Sequence, residues 1–139
     1  MQMKSSKLML AMAFSVGLAM GIVGTGSGIA QLAGIKMKPL LDTSASDQPG
    51  KHAIVVTGEF APGISTGRHT HPGDEYAVVI DGALQLNPEG GPSRIINAGE
   101  AYHNPAGLIH ETKNVGTVPT KVVSIFVITK ERPIAEPVK

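Results

Sequence analysis

From residue 53 onward, apolar and β-branched residues come in short runs separated by turn-forming residues. Runs with turn signals about every 8–12 residues are typical of β-sandwiches and barrels. No segment after residue 53 carries a 3.6-residue apolar period long enough for a helix. The sequence therefore predicts an all-β domain over residues 53–129. Its predicted strands are 53–60, 75–80, 83–86, 94–96, 101–103, 110–113 and 120–129.

Two of these strands are apolar at nearly every position. They are Tyr76–Ile80 and Val122–Ile128. A strand with one face in water alternates between apolar and polar residues, so both faces of these strands require burial. One face can fill a barrel interior, and the other needs a second sheet, the preceding segment or another subunit. We therefore predict a homodimer.

The segments that flank the domain show little periodicity. Residues 31–52 contain prolines and a glycine, which predicts an extended arm in which Pro39–Leu41 adds a short edge strand. Residues 130–139 contain Pro133 and Pro137, and we expect them to form an extended tail.

The first thirty residues have the layout of a secretory signal peptide. A basic start with Lys4 and Lys7 precedes the apolar run Leu8–Gly24, and Gly28 and Ala30 are small residues that suit cleavage after Ala30. This predicts an apolar helix that is removed on export to the periplasm or the cell exterior. The alternative is an uncleaved membrane anchor with the domain facing outward. The run of 17 residues is just short of the roughly 18 that usually span a bilayer.

Charge and composition narrow the range of functions. Removal of residues 1–30 leaves ten Lys and Arg against eleven Asp and Glu, so the net charge changes from +1 to about −1. Because no basic stripe remains, a nucleic-acid partner has no electrostatic support. Cysteine is absent, which excludes thiolate ligands and cysteine nucleophiles. An exported domain without disulfides depends on its own core, a metal or a partner subunit.

Four side chains that commonly bind metals lie in or beside the predicted strands. His69 and His71 are two residues apart, so a strand would direct both imidazoles to the same face. Glu75 follows the turn-forming Pro72–Asp74, and His110 begins a distant strand that a closed barrel could place opposite. Imidazole and carboxylate suit a borderline divalent metal, and this set leaves coordination positions open for water or substrate. The alternative is that the histidines are surface residues and the carboxylate a solvated charge.

Other polar side chains lie near this set in the sequence, and each is expected to have a structural role or a contact with the substrate. The hydroxyl of Tyr102 either reaches a substrate or is satisfied within the core. His103 either lines the mouth of the site or lies at a strand edge, which we favour, and we expect Asp74 to be a cap or turn residue. Arg68 should face away from the site by alternation, and Arg94 is not predicted to point inward either.

Two longer patterns enclose the candidate ligands. The first has spacings of five, three and six residues between its elements: Gly63, His69-x-His71, Glu75 and Gly82. The second has spacings of five, two and three: Gly99, Pro105-x-Gly107, His110 and Asn114. Sixteen residues separate the two patterns. Together they resemble the two motifs of the cupin superfamily, in particular its small single-domain, quercetinase-like members.

The resemblance implies a small jelly-roll β-barrel that binds one divalent transition metal: Fe, Mn, Ni, Cu or Zn. It assigns four ligands to that metal: His69, His71, Glu75 and His110. It also implies positive φ angles at the barrel corners, where only glycine is unstrained: Gly63, Gly82, Gly99 and Gly107. Small cupins of this kind are commonly dimers.

Three functions remain open, each with a small molecule as the ligand. We favour a metal-dependent oxidoreductase resembling the quercetinase-like dioxygenases, with Glu75 as a ligand or base and Tyr102 against the substrate. The second is a sugar or uronate isomerase or lyase that uses the metal as a Lewis acid. It is disfavoured because an anionic substrate needs a cation, and neither Arg68 nor Arg94 is predicted to face inward. The third is a non-catalytic binding or sensing module of the cell envelope.

Overall fold

The computed structural model describes residues 34–139, which form ten β-strands and no helix. The strands are β1 Ile35–Ser44, β2 Lys51–Phe60, β3 His69–Thr70, β4 Asp74–Asp81, β5 Ala83–Pro88, β6 Arg94–Asn97, β7 Ala101–Asn104, β8 His110–Lys113, β9 Thr120–Thr129 and β10 Glu136–Pro137. They form two five-stranded sheets, with orders β1-β2-β9-β4-β7 and β10-β3-β8-β5-β6. Every strand pair is antiparallel.

This architecture confirms the predicted all-β jelly-roll barrel. The predicted signal or anchor segment, residues 1–30, lies outside the described residues. Over residues 34–139, nothing in the chain forms a helix that is long and apolar enough to cross a membrane.

Burial alternates along β4 although its run Tyr76–Ile80 is entirely apolar. Ala77 and Val79 are buried between the sheets, whereas Tyr76, Val78 and Ile80 are exposed on the outer face. The same alternation runs along β9. The inward residues build a core with two clusters: Ile35, Phe60, Ala77, Val79, Leu84, Leu86, Ile96, Tyr102 and Val122 in one, and Ile54, Val56, Phe126, Ile128 and Ile134 in the other. One face of each apolar run therefore fills the barrel.

Much of the segment predicted as an arm, residues 31–52, belongs to the first sheet. β1 pairs with β2 from Ile35 opposite Phe60 to Ser44 opposite His52, so the edge strand is longer than the predicted Pro39–Leu41. Most β1 side chains are exposed, as expected for an edge strand. Its apolar pattern is weak for this reason.

The C-terminal segment also packs on the barrel. Residues 130–138, here called the C-terminal strap, follow β9 and return across the second sheet. β10 pairs with β3, the amide of Val138 donates to the carbonyl of Arg68 at 3.0 Å, and Ile134 is only 7% exposed. The predicted tail is therefore extended but docked.

The four motif glycines have positive φ angles of 76–85°, which confirms the predicted turn conformations: Gly63, Gly82, Gly99 and Gly107. At Gly82 the space is also limiting. A Cβ there would lie 2.7 Å from Oγ1 of Thr120, the first residue of β9.

A fifth glycine, Gly73, is required for a different reason. It lies in the connection from β3 to β4, where the chain passes from one sheet to the other. A Cβ on Gly73 would lie 1.9 Å from the backbone oxygen of Val127 in β9. Because backbone atoms cannot move aside as a flexible side chain can, only glycine allows this close approach.

We predict that Gly73→Ala lowers the melting temperature by ~10 °C or more, since overpacking against rigid structure costs about 1–3 kcal/mol or more. Gly90→Ala is the control, because its Cβ would meet nothing within 4 Å and only its positive φ of 74° opposes the change. Thermal unfolding followed by circular dichroism compares the two. Equal shifts in both variants would contradict the steric account.

Candidate metal centre

The candidate ligands come from both sheets and from the chain that joins them. His69 in β3 lies directly opposite His110 in β8, so the antiparallel register places their rings together. Glu75 lies in β4 of the other sheet, and His71 lies in the connection between β3 and β4. The ring centroids of the three histidines are 4.3–5.0 Å apart. The site is therefore formed only when the two sheets close on each other.

Each imidazole is fixed by its Nδ1 atom. That atom lies within hydrogen-bond distance of a backbone carbonyl in all three rings: His69 with Gly67 at 3.0 Å, His71 with Ile134 at 2.6 Å and His110 with Leu108 at 3.0 Å. A carbonyl oxygen only accepts hydrogen bonds, so each Nδ1 must carry the proton. In the neutral ring the lone pair is then on Nε2. This is the arrangement by which histidines are oriented for metal binding.

Within residues 34–139, the Nε2 atoms of His71 and His110 are buried and have no hydrogen-bond partner. One potential ligand atom from each histidine lies within 4.8 Å of the other two. Oε2 of Glu75 is 3.3 Å from Nε2 of His71 and 3.6 Å from Nε2 of His110. Bare nitrogen lone pairs facing a carboxylate repel one another unless a cation lies between them, so the residues fit a divalent metal.

Glu75 is held by two donors that the sequence analysis did not single out. Nδ2 of Asn104 donates to Oε2 at 2.8 Å, and Oγ of Ser124 donates to Oε1 at 2.9 Å. Burial raises the pKa of the Glu75 carboxyl, but the polar groups of His110, His71 and Asn104 around it outweigh this effect and hold that pKa well below its usual range. The carboxylate is therefore both charged and fixed in orientation.

Both donors left a signal in the sequence. Ser124 is the polar exception in the apolar run of β9, on the same face as Val122 and Phe126. Asn104 has the same parity as Tyr102 in β7, so alternation directs both inward. A polar residue on a buried strand face needs a partner, and Glu75 satisfies both.

Tyr102 lines the cavity beside the site and is 6% exposed. Burial raises the pKa of its phenol well above the usual value, and the negative charge of Glu75 adds to the effect. The hydroxyl therefore stays protonated and is able to donate a hydrogen bond. The side chain belongs both to the hydrophobic core and to the cavity wall.

A cavity of about 180 Å³ lies against the ligands, bounded by both sheets and the C-terminal strap. Its lining includes Arg68, which the sequence analysis expected to face away. That expectation was wrong because strict alternation requires a regular strand, and β3 contains only His69 and Thr70. Arg94 is exposed on β6 and does not line this cavity, as predicted.

His103 has the strand-edge position expected of it, whereas Asp74 begins a strand instead of lying in the turn. Asp74 opens β4, and its Oδ1 accepts a hydrogen bond from the amide of Ala106 at 3.0 Å. His103 lies on β7, the outermost strand of the first sheet, where its exposed ring stacks on Tyr76 with centroids 4.7 Å apart. Both lie outside the cluster of three histidines.

Asn114, the last residue of the second motif, is completely buried and organises two loops. Its Nδ2 donates to the carbonyls of Phe60 and Val118, and its Oδ1 accepts from the amide of Gly116. The role of this residue is therefore to hold the barrel together at a distance from the ligands.

Fold, motifs and ligand geometry agree with one protein family. The model of the cupin domain matches residues 56–126, and the chain belongs to this family. The protein is also similar to BauB of Pseudomonas aeruginosa, a beta-alanine degradation protein. The two are 47% identical over 64 residues, which cover 44% of this chain and 66% of BauB. An oxalate oxidase of Triticum aestivum is 31% identical over 96 residues, 61% of this chain and 43% of that protein.

Solved structures show the same fold. An oxalate oxidase in complex with the substrate analogue glycolate superposes with a TM-score of 0.61 at 26% identity, covering 82% of this chain and 60% of the other. KdgF from Halomonas sp. gives a TM-score of 0.60 at 23% identity, covering 72% and 84%. This second likeness shows the fold alone. The chain spans 66% or less of the length of these two curated relatives.

The pH dependence of the metal-free protein depends on His69. Burial lowers its pKa from 6.5 to about 4. Between these values the unfolded chain binds a proton that the folded chain does not, so stability falls as the pH falls from 6.5 towards 4. The loss at this one site reaches ~3 kcal/mol. Protonation of carboxyl groups with lowered pKa values, such as Glu75, reduces the stability of the fold only below about pH 4.5.

We therefore predict that His69→Gln flattens this dependence between pH 6.5 and 4.5. Urea unfolding at several pH values in the presence of a chelator measures it. His103→Gln, which changes an exposed ring outside the cluster, should keep the wild-type slope. If both variants retained that slope, the assignment to His69 would be wrong.

Proposed function

We propose that this cupin holds one divalent transition metal with His69, His71, Glu75 and His110. The observation that carries the proposal is that three imidazoles have Nδ1 tied to backbone carbonyls while their Nε2 lone pairs are left for a ligand. The buried charge of Glu75 supports it, since one carboxylate beside three neutral rings needs a compensating cation. Four protein ligands leave one or two coordination positions for a small molecule.

We further propose that the protein is a metal-dependent oxidoreductase that uses dioxygen. When bound, the metal supplies redox chemistry and a positive charge for an oxygen atom of the substrate. Asn104 and Ser124 hold Glu75 in a single orientation, and the protonated hydroxyl of Tyr102 donates to the substrate. Phe126, whose ring centroid is 4.8 Å from that of His71, excludes water on the apolar side. The likeness to oxalate oxidases supports this reaction class.

The metal assignment predicts that His71→Ala loses metal and melts at a lower temperature, because an ion bound only by the folded state stabilises it. Elemental analysis should give about one ion per chain for the wild type and below about 0.2 for the variant. His103→Ala is the matched control and should keep both metal and stability. Unchanged metal in His71→Ala would remove the assignment.

The reaction class predicts oxygen uptake by protein loaded with Fe, Mn, Ni or Cu. A Clark electrode should record metal-dependent consumption with at least one substrate from a panel of catechols, small carboxylic acids and flavonols. Protein loaded with redox-inactive zinc is the control and should consume none. No uptake with any of the four metals over the whole panel would count against an oxidoreductase.

A second candidate is a lyase or isomerase that uses the metal as a Lewis acid. The position of Arg68 on the cavity wall favours this candidate. An anionic substrate requires a cation at the site, and Arg68 supplies one. The same zinc-loaded preparation distinguishes the two reaction classes. Zinc-loaded protein that turned over a substrate without oxygen would support this second reaction class.

Export and dimerisation remain part of the proposal. The residue pattern over 1–30 supports export. The mass of the protein purified from an envelope fraction would show whether this segment has been removed. The exposed outer face of the first sheet supports a homodimer, since Tyr76, Val78, Ile80 and Ile125 are each 39–56% exposed. A monomer has little reason to leave such a patch in water.

A further inference from the structure

The size of the cavity limits what reaches the metal centre. Its volume is about 180 Å³. A cavity of roughly 150 Å³ holds one benzene molecule, whereas drug-sized ligands occupy about 300–1,000 Å³. A group with one six-membered ring and a few substituents therefore fits inside it, whereas a three-ring flavonol is too large to be enclosed as a whole. This bound is independent of which metal is present.

The cavity wall is apolar over most of its surface. Six hydrophobic side chains from the first sheet and the C-terminal strap form much of it: Ile35, Met37, Phe60, Val122, Phe126 and Ile134. A fully polar ligand such as oxalate would lose its hydration against a wall that offers it few hydrogen bonds, which costs binding free energy. The wall therefore favours a ligand with a hydrophobic body.

Over the described range 34–139, Arg68 is the one Lys or Arg that lines the cavity. Its guanidinium is paired with Glu89, but both side chains are half exposed, at 52% and 53%. An exposed pair of this kind contributes little to stability. A guanidinium has five N–H donors, so it is able to bind a second carboxylate beside the first. Arg68 is thus available to an anion that enters from solvent.

From these observations we propose that the substrate is a small monocarboxylate whose hydrophobic body is no larger than one six-membered ring, and that Arg68 selects its carboxylate. The proposal rests on the metal centre proposed above, which supplies the reactive end of the cavity. It deepens that function by excluding flavonols and by naming a specificity residue that the two motifs do not contain.

The experiment is calorimetric titration of zinc-loaded protein, which binds ligands without oxidising them. The probes are benzoate, its neutral analogue benzamide, two-ring 2-naphthoate, oxalate and quercetin. We expect benzoate to bind about tenfold more tightly than benzamide, since a charge-assisted hydrogen bond is roughly twice as strong as a neutral one. Oxalate should bind more weakly than benzoate, and naphthoate and quercetin should not bind measurably.

Two sets of variants test the residues. Arg68→Gln should reduce the preference for benzoate over benzamide to about threefold or less, while Arg94→Gln, an exposed arginine outside the cavity, should keep it. Ile134→Ala enlarges the cavity without removing the backbone carbonyl that binds His71, so it should admit naphthoate. Met37→Ala enlarges the cavity from β1 of the first sheet and tests the size limit a second time if Ile134→Ala is unstable.

The outcomes separate the two proposals. Failure to bind zinc would overturn the metal centre and this inference with it. Stoichiometric zinc with equal binding of benzoate and benzamide, or equal losses in Arg68→Gln and Arg94→Gln, would overturn the role of Arg68 alone. Tight binding of quercetin to the wild type would overturn the size limit.

Discussion

Three hydrogen bonds between imidazole and backbone carbonyl determine what this barrel is able to bind. Two of them are local, from His69 to the carbonyl two residues earlier and from His110 to the carbonyl two residues earlier. They form wherever β3 and β8 form. The third, from His71 to Ile134, spans 63 residues and exists only when the C-terminal strap is docked. The ligand set is therefore completed by tertiary structure.

The charge at the site explains why a cation belongs there and why an anion would bind after it. Three neutral imidazoles and the carboxylate of Glu75 carry one negative charge in a buried volume. Asn104 and Ser124 hold the carboxylate in place. A divalent ion would change the net charge to +1. A small anion would then be favoured in the remaining coordination positions, and Arg68 at the same cavity acts in the same direction.

Much of this arrangement could be predicted from the sequence because it depends on period-two alternation and on glycine. Alternation located the barrel strands, and the spacing of His69 and His71 put both on one side of the chain. The corner glycines follow from backbone sterics. Ser124 could also have been predicted from the sequence, because it is a single polar residue within a buried apolar strand.

The rest depends on contacts that residue types do not encode. β1 is an edge strand with mostly exposed side chains, so its pairing leaves a weak pattern. The bond to His71 is made by a backbone carbonyl, which is the same at every position and is placed there by the fold. Arg68 precedes a strand of two residues, too short for alternation to set its direction. Irregular and backbone-mediated features are thus where sequence reasoning ends.

Anomalous diffraction at the absorption edge of the bound metal tests the central claim most directly. The account predicts a single peak per chain, within about 2.0–2.3 Å of Nε2 of His69, His71 and His110 and of a carboxylate oxygen of Glu75. The Nδ1 atoms should remain on their carbonyl partners. A peak bound elsewhere on the chain, or coordination through any Nδ1, would contradict it.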